Sequence, residues 1–223
     1  MTGITLRVLD GADRGRVFEN LVPPITIGRE EGNTIQLNDE RISRYHIKIQ
    51  EDHDKLVVTD LESTNGTKVN GEDIQLRILR FGDTITVGKS VLLFGSRDQI
   101  ALRLAKLRAE ESDINAATMD PAQLSKAAEV SSLDFELNWN EDNEVQATLH
   151  ALEPPEIPAR MSPGQAAQLA EMLEYLHVKL RNLIGAVRVD SRSQQVTLDF
   201  RQWQAILELQ ARVAEYIRQI GNT

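Results

Sequence analysis

Residues 25–71 read ITIGREEGNTIQLNDERISRYHIKIQEDHDKLVVTDLESTNGTKVNG, and four polar fragments break up the apolar runs: Gly28-Arg29, Ser43-Arg44-Tyr45-His46, Ser63-Thr64-Asn65-Gly66-Thr67 and Asn70-Gly71. The runs are of strand length, and the same texture extends to both sides. Ile4 to Leu9, Arg16 to Glu19, Ile25 to Ile27, Thr34 to Leu37, Ile47 to Gln50, Lys55 to Asp60, Lys68 to Val69, Thr84 to Val87 and Ser90 to Phe94 are short apolar or alternating segments. Asp10-Gly11, Asn65-Gly66, Asn70-Gly71 and Gly82-Asp83 punctuate them, and Asn-Gly favours the positive φ angles of tight hairpins. The spacing predicts a β-sandwich of about ten strands over residues 1–97.

After Gly95 the texture changes. Ser96 and Gln99 form a capping box ahead of Ile100, Leu104 and Leu107 at helical spacing, which starts a helix. Residues 98–161 read as that helix followed by an acidic, partly flexible linker with Pro121, Pro154, Pro155 and Pro158. Weak strands are expected within it around Phe135 to Trp139 and Val145 to Leu152. Residues 162–223 then predict an α-helical hairpin. Ser162-Pro163-Gly164-Gln165 is a strong start signal, and Ala166, Leu169, Leu173, Leu176, Leu180, Leu183 and Val187 step by three and four. Asp199 caps a second helix with Leu198 and Trp203 at staple positions. Its stripe is Trp203, Ile206, Gln210, Val213, Ile217 and Ile220, with Gly221 to end it. The link over 190–196 is short enough for antiparallel helices, with Leu173, Leu176 and Leu180 expected to face Trp203, Ile206 and Val213.

Composition narrows the function classes. Apolar residues make up 41% and charged residues 26%, ordinary for a globular protein, while aromatics at 4% leave a core built from Leu, Ile, Val and Ala. With no cysteine, disulfides, thiolate metal sites and cysteine nucleophiles are excluded together. A net charge of -9 opposes general nucleic-acid binding. Residues 1–97 carry 13 basic and 15 acidic side chains, residues 110–160 only 2 basic against 12 acidic, so the acidity sits mid-chain. No signal pattern or membrane-length apolar run is visible, and a cytoplasmic location without membrane attachment is the expectation.

The four fragments, in this order and at these intervals, resemble the forkhead-associated (FHA) domain family over residues 4–95. The resemblance implies a β-sandwich that recognises phosphothreonine peptides. Independent chemistry agrees: a phosphothreonine carries about -1.5 to -2 charges and several acceptor oxygens, so it needs a guanidinium, hydroxyls and backbone amides converging from loops. By resemblance Arg29 and Ser43 bind the phosphate, Arg44 assists, Thr64 contributes, and Asn65 holds the peptide backbone. Arg41 occupies a position that in this family faces the side chain three residues after the phosphothreonine, and its charge favours Asp or Glu there. His46 is expected to be buried, bracing the loops. Gly28, Gly66, Thr67, Asn70 and Gly71 are expected to shape the backbone.

Three other patterns carry no function. Gly82 to Ser90 is one residue too long for a phosphate-binding P-loop and has no following helix. Asn65-Gly66-Thr67 is formally a glycosylation acceptor but lacks a secretory context. The histidines, His46, His53, His150 and His177, share no metal-ligand spacing, and no catalytic triad pattern recurs, so neither a metal, a cofactor nor an enzymatic activity is expected. The expectation is a phosphothreonine-dependent adaptor in Ser/Thr kinase signalling, binding a phosphorylated protein or the kinase itself. Its helices would serve homodimerisation or a second partner. The competing reading is a structural assembly protein whose sandwich no longer binds phosphate.

Overall fold

Alternation sets the first strand: Ile4, Leu6 and Val8 turn one face of β1 (Ile4–Asp10) inward while Arg7 stays in solvent. The computed structural model describes residues 3–111, 149–150, 155–190 and 195–221, the side chains of 109–111 and 188–190 excepted. They fall into two compact units, Met1–Leu152 and Glu153–Thr223.

In the first unit β1 is followed by β2 (Val17–Leu21), β3 (Ile25–Gly28), β4 (Ile35–Gln36), β5 (Ile47–Asp52), β6 (Lys55–Asp60), β7 (Thr67–Val69), β8 (Glu72–Ile74), β9 (Leu76–Ile78), β10 (Thr84–Val87) and β11 (Ser90–Phe94). They form a six-stranded sheet ordered β2-β1-β11-β10-β7-β8 and a five-stranded sheet ordered β4-β3-β5-β6-β9. Among the described residues only β3 and β4 pair in parallel. Ile25, Ile27, Ile47, Ile49 and Val58 of one sheet share a buried core with Leu6, Val8, Ile85, Val87, Leu92 and Phe94 of the other. This is the sandwich the sequence predicts.

Two strands escape the sequence pattern. β8 and β9 are three-residue edge strands with mostly exposed side chains, so they carry no apolar run to betray them. The hairpin signals also divide. Asn70 and Gly71, with φ of 55° and 85°, close the two-residue turn from β7 to β8, as Asn-Gly predicts. Asn65-Gly66 does not make a hairpin: it lies between β6 and β7, which belong to different sheets. Between β5 and β6, His53 and Asp54 supply the positive φ pair instead, without glycine. The Gly82 to Ser90 stretch is β10 and a two-residue turn leading into β11, with no helix behind it.

Helix α1 (Arg97–Glu111) starts on the expected box: Ser96 N–H donates to Gln99 Oε1 at 2.8 Å and Gln99 N–H to Ser96 Oγ at 3.3 Å. Its Ile100 and Leu104 form a second buried cluster with Leu93 and Leu149. Leu149 and His150, expected in a weak strand, are helical, and His150 Nε2 lies 3.2 Å from the Gly82 carbonyl. A buried leucine on the outer face of α1's contact needs a one-sided apolar surface, which a turn of helix supplies as well as a strand. The strand expected at Phe135 to Trp139 lies outside the described residues.

The second unit is α2 (Pro163–Ala186), β12 (Arg188–Asp190), β13 (Gln195–Thr197) and α3 (Phe200–Gly221). Both helices start on reciprocal caps: Ser162 with Gln165, and Asp199 with Gln202. The link expected to be plain instead forms a two-stranded antiparallel ladder, Arg188 to Asp190 against Gln195 to Thr197. Gln202 Nε2 donates to the Ala186 carbonyl at 2.6 Å, and Tyr216 lies beside Gln168 and Tyr175, so the helices run antiparallel. Leu176, Ile206 and Val213 are half-buried and Leu209 is buried. Leu173, Leu180 and Trp203 of the expected contact faces remain about half exposed, at 50%, 49% and 51%. Two helices can cover only one side of each, and the stepping marks a wider apolar arc than one neighbour fills.

Candidate functional site

The site grows from the end of β3. A side chain on Gly28 would run into the Arg44 carbonyl, so bare backbone is what lets this strand lie against the Ser43-Arg44 loop. There Arg29 N–H donates to the Ser43 carbonyl at 3.1 Å and Glu30 N–H to the Arg44 carbonyl at 3.3 Å. Asn33 Nδ2 donates to the carbonyls of Glu30 and Arg44 at 2.9 and 2.7 Å, fastening the β3–β4 loop to the β4–β5 loop.

The β6–β7 loop joins them through side chains. Thr64 N–H donates to Ser43 Oγ at 3.1 Å, and Asn65 Nδ2 donates to the Arg41 carbonyl at 2.7 Å. Beneath this junction His46 is fully buried. Its Nδ1 accepts from Ser43 N–H at 3.0 Å and its Nε2 lies 3.2 Å from the Gly66 carbonyl, contacts that one neutral tautomer, protonated on Nε2, satisfies together. Asp60 closes the base, accepting from Ser63 N–H at 2.9 Å, from Ser63 Oγ at 2.6 Å and from Thr67 Oγ1. A second carboxylate holds the start of the β4–β5 loop. Asp13 accepts from Asn38 N–H at 2.6 Å, from Asn38 Nδ2 at 2.9 Å and from Arg16 Nη1 at 2.8 Å. Burial pushes its carboxyl up, but the Asn38 and Arg16 hydrogen bonds and the Arg16 charge outweigh burial and hold it below the ordinary value of 3.8.

Three loops from separate parts of the chain thus present their unspent groups together. Arg29 is exposed, and its guanidinium has no partner among the described residues. Ser43 accepts from Thr64 N–H, which leaves its own hydroxyl proton available. The Thr64 hydroxyl and Asn65 Oδ1 are likewise uncommitted among the described residues. Arg44 is three-quarters exposed, with Nε 3.6 Å from Glu30 Oε2. Arg41 is exposed beside Asn65. A free guanidinium, hydroxyl donors and a side-chain acceptor on one surface suit a tetrahedral dianion attached to an extended backbone.

Of the sequence candidates, Arg29, Arg41, Ser43, Arg44, Thr64 and Asn65 are brought together, with Gly28, His46, Gly66 and Thr67 beneath or between them. Asn70 and Gly71 stand apart in the β7–β8 turn, where Asn70 Nδ2 donates to Asp83 at 2.9 Å and Asn70 Oδ1 accepts from Thr84 N–H at 2.8 Å. Asn33, Asp60 and Asp39, which accepts from Arg41 N–H at 2.9 Å, also build the junction, yet the sequence reading does not single them out, and it gives Ser63 no role of its own within its fragment. An Asn or Asp in a polar loop looks the same whether it bridges two loops or faces solvent.

Comparison with known proteins places the sandwich. Residues 25–88 match the sequence profile of the FHA domain. FhaA of Mycobacterium tuberculosis, an FHA domain-containing protein, is 36% identical over 92 residues, 41% of this chain and 17% of that protein. The oxoglutarate dehydrogenase inhibitor of Corynebacterium efficiens is 36% identical over 89 residues, 40% of this chain and 63% of that one. The chain spans less than two thirds of either relative's length. A solved structure from work on phosphothreonine-dependent FHA domain interactions is 35% identical, covering 43% of this chain and 97% of that one at a TM-score of 0.39. The sandwich topology, the four fragments and this match agree: residues 25–88 of this chain form a forkhead-associated domain.

Proposed function

We propose that the sandwich of residues 1–97 is a phosphothreonine-dependent protein-binding module, and that the chain acts as an adaptor in Ser/Thr kinase signalling. The observation that carries this reading is the junction of three loops around Ser43, with the Arg29 guanidinium unpaired among the described residues and the Ser43 hydroxyl proton unspent. Arg29 and Ser43 take the phosphate, Arg44 and Thr64 support it, and Asn65 Oδ1 receives a backbone N–H of the peptide. Catalysis has no part in this scheme, in which the partner is a phosphorylated protein or the kinase itself in the cytoplasm. The relatives' names fit a regulatory role, one being an inhibitor of an enzyme.

The test is a titration of a phosphothreonine peptide library against the full chain, with unphosphorylated peptides alongside. Micromolar binding that requires the phosphate and weakens at least about tenfold in Arg29→Ala is expected, since a charge-assisted hydrogen bond contributes about 1.5–3 kcal/mol. Equal binding of phosphorylated and unphosphorylated peptides would favour the assembly reading instead.

The helical unit supports a second role, self-association. Ile184 and Phe200, each 72% exposed, join Leu173, Leu180 and Trp203 as large apolar side chains left in solvent.

A further inference from the structure

The helical unit is two-faced. On one side Lys179, Asn182, Arg201 and Glu208 rim a groove between the helices. The other side is apolar: Leu173, Leu180 and Ile184 step by seven and four along α2, and Phe200, Trp203 and Leu207 by three and four along α3. Each is about half exposed or more, and Ile217 prolongs the α3 stripe at 54%. Together these side chains leave on the order of 800 Å² of apolar surface in water, above the roughly 300–600 Å² of a monomer's largest patch. Each partner in a stable interface contributes about 800 Å², so a second copy of the same face supplies the matching area and closes a four-helix bundle.

The tether between the units is short. Leu149 is fully buried against Leu93, Ile100 and Leu104, and His150 Nε2 lies 3.2 Å from the Gly82 carbonyl, so the first unit still holds the chain at this point. Only residues 151–162 then lead to α2, with Pro154, Pro155 and Pro158 among them. Residues 155–160 are exposed and belong to no helix or strand. A proline-rich spacer is semi-rigid and extends by about 3.1 Å per residue, which gives this one a reach of about 40 Å. Two binding sites on one bundle, each carried by a spacer of this length, make the second binding step intramolecular, at an effective concentration in the millimolar range.

We propose that the chain is a bivalent reader: two copies join through the apolar face of their helical units, and their two phosphothreonine sites engage one partner chain that carries two phosphothreonines. This rests on the phosphothreonine and self-association readings above and adds a preference for double over single phosphorylation. The joining face and the phosphate site belong to different units, so either can be removed by substitution while the other stays.

The experiment is competition fluorescence anisotropy with the full chain, at a concentration where light scattering shows the dimer. Peptides carry either one phosphothreonine or two joined by a short, intermediate or long Gly/Ser linker. At the best linker the doubly phosphorylated peptide should bind at least about 100-fold more tightly than the single one, with a decline at longer linkers. In Leu180→Glu with Trp203→Glu the ratio should fall to about two, the statistical value, while the singly phosphorylated peptide binds as in wild type. A second arm leaves the helical unit unaltered: wild type equilibrated with a large excess of Arg29→Ala chain forms mixed dimers with one working site, and the ratio should fall in the same way. A wild-type dimer whose ratio stays near two at every linker overturns the proposal while both readings beneath it stand. A wild-type monomer overturns self-association and the proposal with it. Equal binding of phosphorylated and unphosphorylated single-site peptides overturns the phosphothreonine reading.

Discussion

Arg29 and His46 stand at opposite extremes of the loop junction, one fully committed to the fold and the other free of it. His46 is buried with both ring nitrogens engaged, whereas the Arg29 side chain has no partner among the described residues. Arg29→Ala should therefore leave the melting temperature within about 3 °C of wild type while binding is lost, because exposed substitutions stay within about 0.5 kcal/mol. His46→Ala should do the reverse first. Removing the imidazole strands the Ser43 amide and the Gly66 carbonyl and opens a cavity, costing about 2–4 kcal/mol in chemical denaturation. Weaker phosphopeptide binding should follow, since Ser43 loses its brace. A His46→Ala protein as stable as wild type would remove the bracing role. That the loops carrying Arg29, Ser43 and Asn65 meet agrees with what the resemblance implies. The roles of Asn33 and Asp60 were not legible, since their importance lies in carbonyls and hydroxyls that only the folded chain brings near.

Among the elements, the two Asn-Gly pairs show how far a local signal reaches. Asn70-Gly71 makes its hairpin because Val69 and Glu72 pair across it, while Asn65-Gly66 is drawn into a crossover between sheets. Gly71→Ala places a Cβ on a residue at φ 85° and should destabilise the sandwich by about 1 kcal/mol in denaturant unfolding, without a steric clash, as no neighbour lies within 4 Å. The β1–β2 turn makes a pH-dependent contribution through Asp13. Its carboxyl is held below 3.8 in the folded chain, so it stabilises the fold above that value. The contribution is lost as pH falls through the lowered folded value, because the unfolded chain takes up the proton first. Asp13→Asn should thus be less stable than wild type near neutral pH, with the gap narrowing on acidification below about 3.8; equal gaps at pH 7 and at low pH would exclude the ionised carboxylate as the cause.

For the whole molecule, the two units differ in how well they bury themselves. The sandwich encloses a continuous core of both sheets, while α2 contributes no buried residue and α3 only Leu209. Such a hairpin gains most by covering its apolar side with a second copy. Light scattering on the full chain should show a concentration-dependent dimer, and Trp203→Glu with Leu180→Glu should shift it to monomer without loss of phosphopeptide binding by residues in the first unit. A monomer at every accessible concentration would assign this surface to another partner.

Alternation, turn residues and capping boxes determined the sandwich and the starts of α1, α2 and α3, because each of these depends on neighbours within a few positions of the chain. Tertiary structure alone decided which loops meet. Ser43 and Thr64 are 21 residues apart, Arg41 and Asn65 are 24, and Asp39 and Lys89 are 50. Their contacts follow from how strands of two sheets stack on a shared core, and no local periodicity encodes that.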